Sequence, residues 1–390
     1  MWEDYGKQIA HSTGPVWFLK LKNRILFRIQ KRIMSIFGKL PANSVVAKAF
    51  SSFSRDMIGA FIYSIKLEIN DQCQLKCKMC YVDHHHQELP AVEIYKLLDS
   101  IRNFGIRLEI LGGEPFMRED ILQIIEYAKA KCHVPFISLY TNGTLVTPQM
   151  AKGLKKAGLD AIIVTLVSDT PGNHDEFTGV PGSWEKTVTG IKNLRDAGVN
   201  TFTFSAIHAD NYLDYKQIYD FVVETLKVHA LFYQYIPHCK GDNLCIDNDT
   251  WHDIKHWVLY DKNEDHMEYI RNFFMLTGNA CSGGNYVLTV KVDGSVQPCP
   301  FIDNLPLGNI KQNDIWVIYR DRYKNTGLSD FKVTPDDCQE CSYKSVCGGG
   351  CKARNDLWFG TYKHADLRCK GPYHEPIDKQ EVVDKLPSFF

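Results

Sequence analysis

The sequence predicts an α/β protein with a parallel sheet, extended by a smaller C-terminal segment held together by metal centres. Through the middle of the 390-residue chain, six apolar runs alternate with segments of helical periodicity. Val/Ile/Leu-rich strands separated by helices are typical of parallel sheets. Beyond about residue 275 the pattern changes to a hairpin signal followed by a segment rich in Cys and Gly. Such a segment lacks a large core of its own, so we expect bound metal to stabilise it.

The overall composition excludes several classes of protein. The formal net charge is -1, so the whole molecule has no general attraction for nucleic acid. The first six residues lack the basic start and apolar run of a signal peptide, and no apolar run is long enough to span a membrane. Thirteen cysteines without a secretion signal indicate a cytoplasmic protein that uses thiolates as ligands.

The first element is a basic amphipathic helix within residues 16–40. This stretch has no acid and seven basic residues: Lys20, Lys22, Arg24, Arg28, Lys31, Arg32 and Lys39. Such a helix can lie on an anionic membrane, peripherally at its inner face, or hold an acidic peptide. It can equally pack on its own domain with a solvated basic face. The sequence leaves these interpretations open.

The six apolar runs are the predicted strands of the sheet. Thr147-Pro148 predicts the start of one intervening helix, and Gly158 its end. Because parallel strands place their C-terminal loops at one end of the sheet, the loops after strands one and two share that end, called the mouth below. The predicted strands are Ile65–Asn70, Leu108–Gly112, Phe136–Tyr140, Ala161–Val167, Thr201–Ile207 and Leu231–Ile236.

The loop after strand one carries Cys73, Cys77 and Cys80 in the spacing C-x3-C-x2-C. Three thiolates are one short of what a four-iron cluster needs, so one iron stays open to another ligand. The next strand ends in the Gly-Gly-Glu-Pro turn 112–115, which predicts a reagent bound directly to the metal. Three histidines follow the cysteine loop, for which a solvated loop is favoured over metal binding: His84, His85 and His86.

The C-terminal segment combines a hairpin with closely spaced cysteines. Residues 286–292 and 295–298 flank an Asp293-Gly294 turn, a strong hairpin signal. An odd number of cysteines at short spacings suits metal centres better than disulfides. Structural zinc is the alternative for the four from Cys338 to Cys351, and iron–sulfur is favoured beside the other motifs. The cysteines are Cys281, Cys299, Cys338, Cys341, Cys347, Cys351 and Cys369.

Together these motifs resemble radical S-adenosylmethionine (SAM) enzymes with a C-terminal SPASM domain, over about residues 62–370. The resemblance implies a partial (β/α)6 barrel and a SAM molecule on the open iron. The expected domains are residues 1–61, 62–270 and 271–390. The matching stretches are the cysteine loop, Leu111–Pro115, Tyr140–Thr144, His174-Asp175, Cys281-x12-Gly294-x4-Cys299, Leu307–Ile310 and the array from Cys338 to Cys369.

The resemblance also implies which residues surround SAM. The glycines let backbone approach its methionine part closely, and Glu114 offers an acceptor to its ammonium group. The full set is Met79, Gly112, Gly113, Glu114, Asn142 and Thr165.

The chain departs from the family pattern in three places. It reads Thr-Leu-Val-Ser at 165–168, where relatives often have Ser-Leu-Asp-Gly. Thr178 stands in the region of an arginine that often meets the SAM carboxylate. Pro300 replaces the aspartate of sulfatase-maturating members, so sulfatase maturation is not expected.

Two auxiliary clusters are implied in the SPASM domain. The resemblance gives the distal cluster Cys338, Cys341, Cys347 and Cys369. It gives the nearer cluster Cys281, Cys299 and Cys351. Met275 occupies the place of an eighth cysteine, so the nearer cluster has an open iron or borrows Cys239 or Cys245.

The expected function is oxidative modification of a peptide or protein by a 5′-deoxyadenosyl radical. The alternative is a dehydrogenase or epimerase acting on a sugar, aminocyclitol or tetrapyrrole, and a third class is a non-catalytic electron carrier. Cys239 is a candidate hydrogen-atom donor, although an inert residue is favoured there, and Cys132 is expected to be structural. The expected reductant is a flavodoxin or ferredoxin, and no nucleic-acid partner is expected.

Overall fold

The computed structural model describes residues 14–37, 61–85, 87–262 and 281–376. Its centre is a nine-stranded sheet of order β6-β5-β4-β3-β2-β1-β7-β8-β9. Neighbours from β6 to β7 are parallel, whereas β8 and β9 are antiparallel. The strands are β1 Ser64–Glu68, β2 Arg107–Leu111, β3 Ile137–Thr141, β4 Ala161–Thr165, β5 Thr201–Ile207, β6 His229–Gln234, β7 Val287–Val290, β8 Ser295–Gln297 and β9 Gly308–Asn309.

The predicted fold class is confirmed, and each of the six predicted strands has a counterpart within a few residues. Thr201–Ile207 is observed with the predicted bounds. The predicted helix signals also hold, since the Thr147 hydroxyl accepts from Met150 N at 3.1 Å and Gly158 closes the helix with φ +90°. Turn and cap residues therefore fixed these boundaries locally.

Helices connect the strands and cover the C-terminal segment. Three of them, α3, α7 and α8, continue into π-helical turns. The helices are α1 Val16–Phe37, α2 Ala91–Ser100, α3 Ile121–Glu126, α4 Pro148–Ala157, α5 Pro171–Thr178, α6 Ser183–Asp196, α7 Tyr215–Asp220, α8 Asn248–His256, α9 Ile315–Asp321, α10 Thr326–Lys332, α11 Lys344–Cys347 and α12 Lys352–Phe359.

The helix α1 packs one face on the sheet domain and leaves another accessible. The Asn23 side chain bonds both the N–H and the C=O of Ile62, and Leu19 and Leu26 are buried. None of the described helices is long and apolar enough to cross a membrane. The accessible face carries large apolar side chains with exposed fractions of 44–66%: Trp17, Phe18, Leu21 and Ile25.

The hairpin β7–β8 forms as predicted, with Gly294 at φ +86° in its turn. The sequence did not predict that β7 would also pair in parallel with β1, so that Ser64 faces Val287. Leu288 and Val290 on β7 are fully buried in the same core as the central sheet. The hairpin therefore shares the core of the central sheet, and the expectation that the segment after it lacks a large core of its own is not contradicted.

The predicted boundary at residues 270 and 271 lies outside the described residues and stays a prediction.

Candidate functional site

The three cysteines after β1 lie together at the mouth. All three are half-buried, and burial, with the charges of Cys73 and Cys80, raises the pKa of the Cys77 thiol to about 12. Thiols in such a place stay protonated at neutral pH unless a cation binds them. The set therefore fits a metal cluster that takes three thiolates.

The backbone of α5 and its C-terminus clamps the cysteine loop. Lys76 N donates to Thr178 O, and Lys78 N donates to Phe177 O, each at 2.9 Å. The Thr178 side chain is buried, and its hydroxyl lies 2.7 Å from Ser183 Oγ. Thr178, which stands in the region of the family's arginine, thus has a structural contact beneath the loop.

The paired glycines allow two loops to touch. A Cβ on Gly112, which has φ +138°, would lie 2.3 Å from Asn70 O, and one on Gly113 would lie 2.1 Å from Gln72 O. Both distances are far below van der Waals contact, so a side chain at either position would push the turn away from the cysteine loop. The close approach that the resemblance assigned to SAM is here made to the chain itself.

Glu114 connects the loops after β2 and β3. Its carboxylate is fully buried and accepts from Thr141 Oγ1 and Asn142 N at 2.8 Å and from Phe116 N at 3.1 Å. Burial raises the pKa of Glu114 to about 7, against these hydrogen bonds. Both oxygens are already engaged, so this geometry favours a positioning role, and the predicted contact with the SAM ammonium stays a prediction.

Asn142 and Met79 also lie at the mouth. Asn142 Nδ2 is 3.7 Å from Cys73 Sγ, and its Oδ1 accepts from Gln74 Nε2 at 3.0 Å. Met79 Sδ accepts from the Tyr233 hydroxyl at 3.0 Å. Tyr233 is a site residue that sequence reasoning missed, although its alternation with buried neighbours on β6 was a usable signal.

Thr165, the last predicted SAM contact, ends β4 and is half-buried.

The C-terminal cysteines fall into two groups. Burial and the charges of Cys351 and Cys281 raise the pKa of the Cys299 thiol to about 12. The second group is linked in the same way, since Cys338 interacts with Cys369 and Cys341, and Cys347 interacts with Cys369 and Cys338. Among the described residues, no three His, Cys, Asp or Glu side chains form a group that could hold a single metal ion. The charge interactions link cysteines within each of the two sets that the resemblance implied, and the ligand assignments stay a prediction.

Cationic side chains surround these two groups. Lys332 Nζ donates to Cys281 O at 2.7 Å, and Arg354 forms a fully buried ion pair with Asp366 at 2.6 Å. Burying cations is costly unless anions compensate them. Clusters ligated by thiolates are anionic, so this donor set fits them. The four cations are Lys332, Lys352, Arg354 and Arg368.

The two spare cysteines occupy different places. Cys239 is exposed beside His238, whose Nε2 lies 3.0 Å from Lys78 O at the mouth. Cys245 is half-buried and interacts with Arg354, which also interacts with Cys351. Cys245 therefore shares the neighbour Arg354 with the group of Cys281, Cys299 and Cys351.

The remaining residues that the sequence analysis singled out are Cys132, the three histidines after the cysteine loop and Met275. Cys132 is buried at a helix end, as a structural residue would be. His84 and His85 are both exposed. The Nε2 atom of His84 lies 3.5 Å from Cys80 Sγ, and its Nδ1 atom contacts Asp71 O. His86 and Met275 lie outside the described residues.

Comparison with protein families and known proteins matches two parts of the chain. Residues 67–222 match the radical SAM superfamily, and residues 281–342 match the iron–sulfur cluster-binding SPASM domain. The chain is 27% identical over 342 residues to the AdoMet-dependent heme synthase of Nitratidesulfovibrio vulgaris, which covers 78% of this chain and 91% of the relative. It is 26% identical over 364 residues to the Fe-coproporphyrin III synthase of Methanosarcina barkeri, covering 81% and 89%.

Solved structures share the fold. Streptococcus suis SuiB bound to its precursor peptide SuiA has a TM-score of 0.66 at 17% identity, covering 84% of this chain and 80% of that one. The AdoMet complex of anSMEcpe has a TM-score of 0.64 at 18% identity, covering 79% and 94%. At these identities the likeness establishes the fold alone.

Proposed function

The chain is a radical SAM enzyme with a SPASM domain, and from this premise we propose that it acts on a tetrapyrrole that carries carboxylate groups. The supporting observation is that relatives that synthesise heme or an iron porphyrin align with a larger share of the chain than a relative of another activity does. The heme synthase and Fe-coproporphyrin III synthase relatives align with 78–81% of the chain. The GTP 3′,8-cyclase of Methanococcus maripaludis aligns with only 40% of it, and the chain spans about half that protein's length.

This proposal reverses the order of substrates that the sequence favoured. A peptide or protein came first there, with a tetrapyrrole among the small-molecule alternatives. The structures with bound peptides are below 20% identical to this chain, so they support its fold and not a peptide substrate. A peptide substrate remains the second candidate, as an outcome of the test below.

The proposed chemistry divides between the cofactors and the chain. A radical SAM domain binds a [4Fe–4S] cluster and SAM, which together supply a 5′-deoxyadenosyl radical that removes a substrate hydrogen, and a SPASM domain binds auxiliary iron–sulfur clusters. Cys73, Cys77 and Cys80 would hold the first cluster. The chain's other contributions are the clamp from α5 and the Asn142 and Met79 contacts, which fix the cysteine loop at the mouth.

An oxidative reaction leaves an electron to be removed from the substrate. The buried cations beside the C-terminal cysteines stabilise the more negative, reduced form of any centre held there. We propose that this region is the electron acceptor, and that a flavodoxin or ferredoxin reduces the first cluster.

The test uses the anaerobically reconstituted enzyme with SAM and dithionite. Release of 5′-deoxyadenosine and the mass of the porphyrin are followed with and without iron coproporphyrin III. We expect the porphyrin to stimulate release and to lose carboxylate carbon or hydrogen. Release that is unaffected by iron coproporphyrin III, with an unchanged porphyrin absorption spectrum, would contradict the proposal and leave the peptide candidate.

We also propose that α1 contacts an anionic membrane through its accessible face. The helix has six basic residues and no acid, and Trp17, Leu21 and Ile25 stand exposed on it. An apolar face on a basic helix suits the interface of an anionic bilayer. Lys20 and Arg24 are partly engaged over the Phe104 ring, so apolar substitutions test the contact more cleanly than charge removal.

The membrane proposal is tested by co-sedimentation with phosphatidylglycerol vesicles at several salt concentrations. We expect binding that weakens as salt rises and that the double variant Trp17→Ser and Leu21→Ser loses. Lys155→Gln, on the exposed surface of α4, is the matched control. A parent protein that stays in the supernatant would show that α1 serves only to pack on the sheet domain.

A further inference from the structure

In the middle of β1 and β2 the inner face of the sheet keeps accessible surface, while the outer face is closed and the ends of β1 are buried on both faces. On β1 and β2 the outer residues Ile65, Leu67 and Leu108 are fully buried. The inner residues Lys66 and Glu109 keep 27% and 20% of their side-chain surface exposed. Side chains alternate between the faces of a strand, so the inner face borders space that a ligand can enter.

The same face continues across the sheet through register. Lys66 lies directly opposite Glu109, and Thr165 lies opposite Phe204. Tyr140 on β3 and Tyr233 on β6 are half-buried on this face as well. The inner face thus combines a charged pair on β1 and β2 with aromatic side chains on β3, β5 and β6.

The charged pair has hydrogen-bonding capacity left for a ligand. Lys66 Nζ lies 3.6 Å from Glu109 Oε2, and Ser64 Oγ donates to the other oxygen of that carboxylate. An ammonium group carries three donors, and the pairing with Glu109 engages one of them. Lys66 therefore presents donors to the accessible space while Glu109 fixes its position.

The aromatic side chains form a flat surface beside this pair. The Phe204 and Tyr233 rings stack with centroids 3.9 Å apart and planes at 5°, and Tyr140 meets Phe204 edge-on at 6.0 Å. Tyr233 also contacts Met79 in the cysteine loop. At the other side, Lys66 is close enough to Cys299 for their charges to interact. The pair and the aromatic side chains therefore lie between the cysteine loop and the first auxiliary group.

We propose that Lys66 binds a carboxylate of the substrate, with Glu109 as its positioning residue and the stacked Phe204 and Tyr233 as an apolar wall for a conjugated ring. The inference rests on the proposed function, because it assumes a flat ligand with carboxylate groups. Lys66 is thus proposed to make the enzyme prefer a substrate with free carboxylates over its ester.

The test is an anaerobic absorption titration of the reconstituted holoenzyme with two probes, iron coproporphyrin III and its tetramethyl ester. We expect Lys66→Met to raise Kd for the acid by about tenfold or more, since a hydrogen bond to a charged group is lost. Binding of the ester should be nearly unchanged. Lys66→Arg should restore part of the affinity, and Lys96→Met, on the surface of α2, is the matched control.

Lys66→Met leaves the Glu109 carboxylate without its cation, which threatens folding. The double variant Lys66→Met and Glu109→Gln removes both charges and should show the same loss for the acid. If either folded variant binds the acid as the parent does, the inference is overturned and the proposed function stands. If the parent protein perturbs neither porphyrin spectrum, the proposed function falls, and this inference falls with it.

Discussion

The two cysteine-bearing regions have the same ligand chemistry and differ in their charged neighbours. The loop after β1 has acids nearby, since the charge of Glu114 raises the pKa of Cys73 and that of Glu68 raises the pKa of Cys80, in both cases after burial itself. The C-terminal groups have several buried cations as neighbours, among them Lys352, together with the Asp366 carboxylate that pairs with Arg354. Negative surroundings disfavour an added electron, and positive surroundings favour it. A centre in the second region is therefore expected to have the higher reduction potential, which suits it to accept the electron that the substrate gives up.

The largest effect is expected from replacing the cysteines of either region, because only the loop after β1 should be needed for SAM cleavage. Replacing Cys73, Cys77 and Cys80 with Ala should remove about a third of the iron, as expected if all three clusters are of the four-iron type, and all SAM cleavage. The matched variant with Cys338, Cys341 and Cys347 changed to Ala should lose a similar share and still cleave SAM. Iron analysis and 5′-deoxyadenosine release measure both. Stoichiometric zinc with little iron would refute the iron–sulfur interpretation itself.

A second expected effect concerns stability. Arg354→Met leaves Asp366 as an unpaired buried carboxylate, and that carboxylate also accepts from Cys351 N at 2.7 Å. Breaking a buried pair costs about 3–5 kcal/mol, so we expect a large fall in the urea midpoint of the reconstituted protein. Lys78→Met breaks an exposed pair with Glu176 and should cost about 1 kcal/mol or less. Equal losses of unfolding free energy in the two variants would mean that the buried Arg354–Asp366 pair contributes no more to stability than the exposed Lys78–Glu176 pair.

A third prediction measures the electrostatic difference directly. Lys352 is buried, donates to Val333 O at 2.7 Å, and interacts with cysteines of both C-terminal groups. Lys352→Met should lower the reduction potentials of both auxiliary centres, on the order of tens of millivolts. The first cluster should not change. Redox titration followed by electron paramagnetic resonance tests this, with the exposed Lys363→Met as control, and unchanged auxiliary potentials would argue against charge tuning.

A smaller effect is expected from Cys245, which shares the neighbour Arg354 with Cys351. If Cys245 completes the nearer cluster, Cys245→Ala should alter the spectrum of that cluster and make it respond to added thiol. Cys239→Ala should leave the spectrum as it is. The reverse result would identify Cys239, at the mouth, as the fourth ligand of the nearer cluster.

The smallest effect is expected on turnover from Cys239→Ala. In an oxidative reaction no hydrogen-atom donor is needed, so this variant should keep full turnover, and the product should carry no deuterium from heavy water. Mass spectrometry of the product decides this. Solvent deuterium in the parent product, lost together with turnover in the variant, would instead indicate an epimerase.

Local patterns in the sequence were sufficient for the strands and the helix caps. They failed where the partner is distant in the chain. The pairing of β7 with β1 joins residues more than 200 positions apart, and nothing in Val287–Val290 identifies β1 as its neighbour. The Lys66–Glu109 pair was missed for the same reason, since the facing register of two strands has no local signature. The sequence likewise has no local signal for the burial of Arg354 and Lys352.

The pairing of β1 with β7 affects the rate at which an electron passes from a bound substrate to the C-terminal cysteine region. The strand β1 leads directly into the cysteine loop, and it is hydrogen-bonded to β7, whose hairpin leads to Cys299. Neighbouring strands keep a spacing of about 4.8 Å, so backbone hydrogen bonds and not a flexible linker set the gap between the two regions. Tunnelling rates fall steeply with distance. The continuous sheet therefore acts as a rigid spacer that keeps this rate constant from one turnover to the next.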